Sequence, residues 1–116
     1  MIPSVRDDDP PTPEPMLELA PLPAGSGYAL RGILDLSTAH LGQERLERVW
    51  RPGATVVLDL SGVEFMDSTG LNLICRGLVA VGERGSLVLR NAQGMVRRVL
   101  SVSGIEARPN VRIEDD

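Results

Sequence analysis

Val56-Val57-Leu58-Asp59-Leu60-Ser61-Gly62-Val63-Glu64-Phe65-Met66-Asp67-Ser68-Thr69-Gly70-Leu71 is the stretch on which the reading of this chain turns. It opens with an apolar, β-branched run that reads as a central strand, Thr55 to Leu60, covered on both faces. Beyond the hydroxyl cluster the apolar residues recur at helical spacing, at Leu71, Ile74, Cys75, Leu78 and Val81. Asp67, Ser68 and Thr69 therefore stand where a loop becomes a helix running from about Ser68 to Val81. Side-chain oxygens are favoured there because they accept hydrogen bonds from the unpaired N–H groups of the first turn. One hydroxyl would be explained by capping alone. Two adjacent hydroxyls between an Asp and a Gly are more than one cap requires.

Toward the N-terminus, Ala39 to Trp50 suits a helix, with Asp35, Ser37 and Thr38 offering capping oxygens and Arg51-Pro52-Gly53 ending it. Leu46, Val49 and Trp50 are expected to face the core, and Gln43, Glu44, Glu47 and Arg48 to face water. Tyr28 to Leu34 reads as the returning strand of a hairpin whose turn is Gly25-Ser26-Gly27. Its first strand is Met16 to Ala20, which Pro21 and Pro23 confine to a sheet edge. Residues 1–15 hold five of the nine prolines and three consecutive Asp residues, so a disordered tail is expected there.

Toward the C-terminus, Gly82 and Gly85 close the helix and Ser86 to Arg90 forms another strand. Gln93 to Ser103 is a further helix with Met95, Val96, Val99 and Leu100 inward and Gly104 as its C-terminal cap. Val111 to Ile113 is a last short strand before the acidic end, residues 114–116. Strands alternating with helices after an initial hairpin predict one α/β domain over residues 16–113. Its sheet is mixed and mostly parallel, with about four to five strands and helices packed on it.

Composition narrows the function. The chain has 116 residues, 42% hydrophobic and 24% charged, which is ordinary for a globular protein. Its net charge is −4 and aromatics are 3%, so neither nucleic acid nor an anionic membrane is a natural partner. All 12 basic residues are Arg, which removes any mechanism that needs Lys. Cys75 is the only cysteine, so no intramolecular disulfide can form, and its place on the apolar stripe predicts a buried free thiol. The first nine residues have no apolar signal region, and no apolar run approaches the roughly 18 residues of a membrane span, so the expected location is the cytoplasm.

Exclusion then empties the catalytic possibilities. Asp59 at a strand end resembles a receiver-domain phospho-acceptor, but such a domain needs a Lys, and so does a phosphate-binding P-loop. Asp67-Ser68-Thr69-Gly70 has one residue too many for the aspartic protease motif. Ser68 lacks the flanks of a hydrolase nucleophile, and the only imidazole, His40, reads as a solvated residue of a first helical turn. One His and one Cys make a metal site improbable on chemistry. No catalytic residue, metal or cofactor is assigned.

What remains is a hydroxyl, Ser68, at a helix start beside a carboxylate. From about Leu17 to Ile113 the chain resembles a STAS domain, the module of sulfate transporters and anti-sigma factor antagonists. Gly32-Ile33-Leu34-Asp35 followed by Thr38 resembles one signature of the family. Val57 to Val63 and Phe65 to Leu71 resemble its most diagnostic segment, and Val96 to Leu100 with Ser103-Gly104-Ile105 its third helix and exit. In small members the first Ser after the Asp is phosphorylated by a partner anti-sigma factor, a Ser kinase with a histidine-kinase-like ATPase fold. By position that residue is Ser68.

The resemblance thus implies a monomeric anti-sigma factor antagonist, not an enzyme. It would bind the anti-sigma factor when unphosphorylated, release a sigma factor, and be switched off at Ser68. The surface implied for the partner comprises Asp35, Asp67, Ser68, Thr69, Gly70, Leu71, Asn72 and Leu73, with Gly70 allowing close backbone approach. Asn72 departs from the Gly of many members, Thr69 adds a second hydroxyl, and the chain ends soon after Ile113, before the usual final helix. Two other readings are a STAS scaffold or ligand sensor without kinase control, and an enzyme using Ser68 as nucleophile.

The helix after Gly70 bears on the partner question independently. Leu71, Ile74, Cys75 and Leu78 make one apolar stripe, and Leu73, Gly77 and Ala80 a second. The second stripe is either wedged against a neighbouring helix or left for a partner.

Overall fold

The structure, a computed structural model, describes residues 17–23 and 26–115. The tail expected over residues 1–15, Met16, the Gly25 of the hairpin turn and Asp116 lie outside them. Strands β1 (Leu17–Pro21) and β2 (Gly27–Leu34) form the antiparallel hairpin, with Leu17 opposite Gly32 and Pro21 opposite Tyr28. Three crossovers follow: α1 (Ala39–Leu46) to β3 (Thr55–Met66), α2 (Ser68–Val81) to β4 (Ser86–Arg90), and α3 (Gly94–Ser103) to β5 (Val111–Glu114). A short 3₁₀ turn, Ile105–Ala107, leads into β5. The sheet has five strands in the order β1-β2-β3-β4-β5, antiparallel at the first pair and parallel at the other three. This is the mixed, mostly parallel α/β sheet expected.

Strand order equal to chain order has a consequence for the layers. Right-handed crossovers that always step to the next strand place every helix on one face. Val56, Leu58 and Leu60 of β3 and Leu87 and Leu89 of β4 share one core with Leu46, Leu73, Ile74, Leu78, Val96 and Leu100 from the helices. Val57 and Asp59, paired with Val88 and Arg90, alternate to the other face. The central strand is expected to be covered on both faces: all three helices pack on one, and on the other Val57 and Val88 are buried as well.

Several boundaries differ from the expectation, β1 taking in Pro21 and β2 taking in Gly27 among them. β3 runs on from Leu60 to Met66, because the β2–β3 ladder continues past Ser61-Gly62 through a register shift. Asp59 Oδ1 accepts from Ser61 N at 2.9 Å, and a Cβ on Gly62 would stand 3.0 Å from the Leu30 carbonyl oxygen. Helix α1 is regular only to Leu46; the chain then tightens, Val49 N donating to Leu46 O at 3.0 Å, and still delivers Trp50 to the core. α3 begins one residue later than expected, at Gly94, and ends on Gly104 at φ 81°, the left-handed cap. β5 takes in Glu114, which pairs with Arg90 at 3.3 Å.

Two side chains face differently from expectation. Met95 is exposed rather than inward, because Val96 and Leu100 already occupy the core-facing stripe of α3. Cys75 is half-buried at the margin of the core.

Candidate functional site

β2 and β3 end side by side, Leu34 opposite Met66, so the loops that follow them emerge together at the carboxyl end of the sheet. Open α/β sheets place their sites at this end. The β2–α1 loop is held by its own polar side chains. Asp35 Oδ1 accepts from Ser37 N at 2.9 Å and from Ser37 Oγ at 2.6 Å. That hydroxyl bond, more than any other contact, holds the Asp35 carboxyl below the usual aspartate range. Thr38 is buried, its Oγ1 donating to Ile33 O at 2.7 Å and accepting from Asp35 N at 3.0 Å. The hydroxyls expected to cap α1 are thus spent on shaping the loop before it.

At the second loop Asp67 is the N-cap of α2, in extended conformation. Its Oδ1 accepts from Thr69 N at 2.8 Å and Gly70 N at 3.1 Å, and its Oδ2 from Leu36 N at 3.4 Å. One carboxylate therefore satisfies the helix start and ties the two loops together. It also fills the position at which an added anion would meet those N–H groups. Ser68, the first residue of the helix, is exposed, and its hydroxyl makes no hydrogen bond to another described residue. Thr69 and Leu71 are half-buried and Asn72 is exposed, so these residues with Asp35, Asp67 and Ser68 occupy one accessible corner.

Two of the residues expected in the partner surface are buried. Leu73 is 3% exposed and packs beneath α1, where a Cβ on Gly42 would come within 2.9 Å of Leu73 Cδ2. Gly70 is buried, and a Cβ there would meet Leu34 O at 2.5 Å and Leu34 Cγ at 2.8 Å. Close backbone approach at Gly70 is real, but the approaching backbone is that of β2. The second stripe of α2 is the wedged one: a Cβ on Gly77 would stand 2.3 Å from Trp50 Cε2.

A groove that sequence reasoning missed opens on the other side of α2. Met95, Val99 and Val102 of α3 face Leu71 of α2 and Met66 of β3 across an apolar space of about 470 Å³. Asp67, Ser68, Arg98 and Ser103 complete its lining. The signal was present as the spacing of Met95, Val99 and Val102, a second apolar stripe beside Val96 and Leu100. Among the described residues five large apolar side chains are exposed, Leu36 (78%), Phe65 (42%), Val79 (78%), Met95 (39%) and Val102 (80%). Three of them belong to this corner. Leu36 donates its N–H to Asp67, and Met95 and Val102 line the groove. No cluster of three or more metal-ligating side chains occurs among the described residues.

The profile of the family described as "Mlab, STAS domain" matches residues 24–112. The chain belongs to the STAS domain family. No curated protein matches it. Among solved structures this STAS domain is similar to a protein assigned as an anti-sigma factor antagonist from Thermotoga maritima. That pair has a TM-score of 0.65 and 25% identity over 87% of each chain. An anti-sigma factor antagonist from Mycobacterium paratuberculosis aligns with TM-score 0.65 and 22% identity, covering 83% of this chain and 85% of that one. The anti-sigma factor antagonist SpoIIAA in its unphosphorylated form aligns with TM-score 0.62 and 19% identity, over 86% and 88%. The match takes in the whole corner from Leu34 to Leu71 and the groove-lining helix α3 of this STAS domain. Among the described residues no helix is long and apolar enough to cross a membrane.

Proposed function

We propose that this STAS domain is an anti-sigma factor antagonist, a binding module and not an enzyme. It binds an anti-sigma factor through the corner around Ser68 and is switched off when that partner, a Ser kinase with a histidine-kinase-like fold, phosphorylates Ser68. The observation that carries this reading is the state of Ser68. Its hydroxyl is exposed and bonded to no other described residue, while the neighbouring carboxylate is committed to Thr69, Gly70 and Leu36, and exposed Leu36, Met95 and Val102 lie at the same corner. A hydroxyl free of structural duty accepts a phosphoryl group without unfolding its helix, and a concentrated apolar surface fits a protein partner. Among the described residues no side chain is hydrogen-bonded to the Ser68 hydroxyl as a base would be, which supports an acceptor and not a nucleophile. The sigma factor is released because this domain and the sigma factor compete for one anti-sigma factor. The domain works as a monomer in the cytoplasm, with ATP bound by the partner.

The test is incubation with a candidate anti-sigma kinase and ATP, phosphosite mapping, and calorimetry on the parent, the phosphorylated form and Ser68→Ala. Phosphate is expected on Ser68 alone. An uncompensated charge taken into a docked interface costs about 2–5 kcal/mol, or roughly two to four decades of affinity. Ser68→Ala should bind and resist the kinase. Full-strength binding by the phosphorylated protein would sink the switch. Binding with no phosphate transfer would leave a scaffold in its place.

A further inference from the structure

Phosphate at Ser68 cannot use the usual anion site of a helix N-terminus. The Thr69 and Gly70 N–H groups that would receive it already bind Asp67 Oδ1, at 2.8 and 3.1 Å. The phosphate would instead stand beside a carboxylate, and two like charges in contact repel. A cation within reach would offset that charge and hold the phosphate in one place. Among the residues lining the groove onto which Ser68 opens, one is cationic, Arg98 on α3. Its neighbour Arg97 does not line the groove and is ion-paired with Glu106 at 3.7 Å and Asp115 at 3.4 Å. Arg98 forms no ion pair with a described residue and is exposed. The ionisable groups about Ser68 are Asp67 on its own helix, Asp35 in the β2–α1 loop and Arg98 on α3.

We propose that Arg98 is the receptor for phosphorylated Ser68, reaching across the α2–α3 groove to bind the phosphate. A guanidinium matches phosphate oxygens in a two-pronged geometry and is always charged, so it suits this task better than any other side chain here. The aliphatic stem of Arg98 then lies over Leu71, Val99 and Val102, and long basic side chains cover apolar surface in this way. Phosphorylation thus acts twice on the docking corner: it adds charge at Ser68 and it closes the apolar groove with a side chain of the same molecule.

This proposal rests on Ser68 being the modified residue, and its test does not need the kinase. Phosphoserine is installed at position 68 by genetic encoding in the full chain, and the second ionisation of its phosphate is followed by phosphorus NMR. The free group titrates at about 6. A cation in contact favours the dianion, so Arg98→Gln should raise the midpoint by about half a unit or more. Arg76→Gln, an exposed α2 arginine beside the opposite groove with Trp50 and Leu73, should leave the midpoint unchanged. Equal midpoints in parent and Arg98→Gln would overturn the proposal, and so would equal rises in both variants, which would report only the overall field of the protein. The functional reading fails separately. Undiminished binding of an anti-sigma factor by the phosphoserine protein removes the switch and leaves the Arg98 midpoint shift in place.

Discussion

Helix α2 has two apolar flanks, and the chain treats them oppositely. Toward α1 the contact is closed: Gly42 sits on Leu73, Gly77 lies flat against the Trp50 ring, and only a shallow depression of about 180 Å³ remains between the helices. Toward α3 the flanks stand apart around a groove of about 470 Å³ that leads to Ser68. Glycines let the first pair of elements approach until side chains interlock, as a close-packed core requires. On the second flank Met95 and Val102 are left 39% and 80% exposed. One flank of the helix is committed to stability, and the other is available for a partner.

The comparison can be broken hardest on the closed side. Gly77→Val must displace Trp50, whose ring atoms lie 2.3–2.8 Å from the added Cβ. Overpacking of this kind costs about 1–3 kcal/mol, and the two added methyls place it at the upper end. A denaturant melt should show a lower midpoint with unchanged slope. A parental midpoint would mean that α1 and α2 are loosely packed. Gly70→Ala comes next. The alanine gains about 1 kcal/mol of helix propensity but forces the Leu34 carbonyl from 2.5 Å, and backbone yields less readily than a side chain. A net loss of about 1–2 kcal/mol is expected, with shifted amide signals at Asp67 and Ser68.

Smaller effects sharpen the contrast. Asp67→Ala removes the α2 cap and should cost about 1 kcal/mol, while Asp67→Asn should retain most of it. Amide exchange at Thr69, Gly70 and Leu36 would report the loss directly. Met95→Ser with Val102→Ser, on the open flank, should move stability by no more than about 0.5 kcal/mol. The same pair should weaken partner binding about tenfold or more. Equal damage to stability would place these residues in the core.

The smallest effect concerns Asp35. Its carboxyl titrates below the ordinary 3.8 because Ser37 donates to the charged form. The folded state therefore binds that proton less readily than the unfolded chain. The resulting stability is present above the unfolded pKa and is lost as pH falls through the lower folded value. Carbon NMR should place the Asp35 midpoint below 3.8, and Ser37→Ala should bring it back up.

The sequence by itself determined the order of elements, the mixed sheet and the Asp67-Ser68 corner. Those depend on local rules: the period of apolar residues, the turn chemistry of glycine, and an Asp side chain reaching N–H groups two and three residues ahead. Local pattern also showed that α2 is apolar on two sides, but not which side the chain itself would fill. Only tertiary structure decided that, because the filler of one flank, Trp50, is 27 residues from Gly77. The same holds for the extension of β3 beyond Leu60, which pairing with β2 sustains through an apparent turn. It holds too for Gly70, reserved for the Leu34 carbonyl, and for Arg98, which lies 30 residues from Ser68 yet lines its groove. Burial is a property of neighbours, and neighbours distant in sequence leave no periodic trace in it.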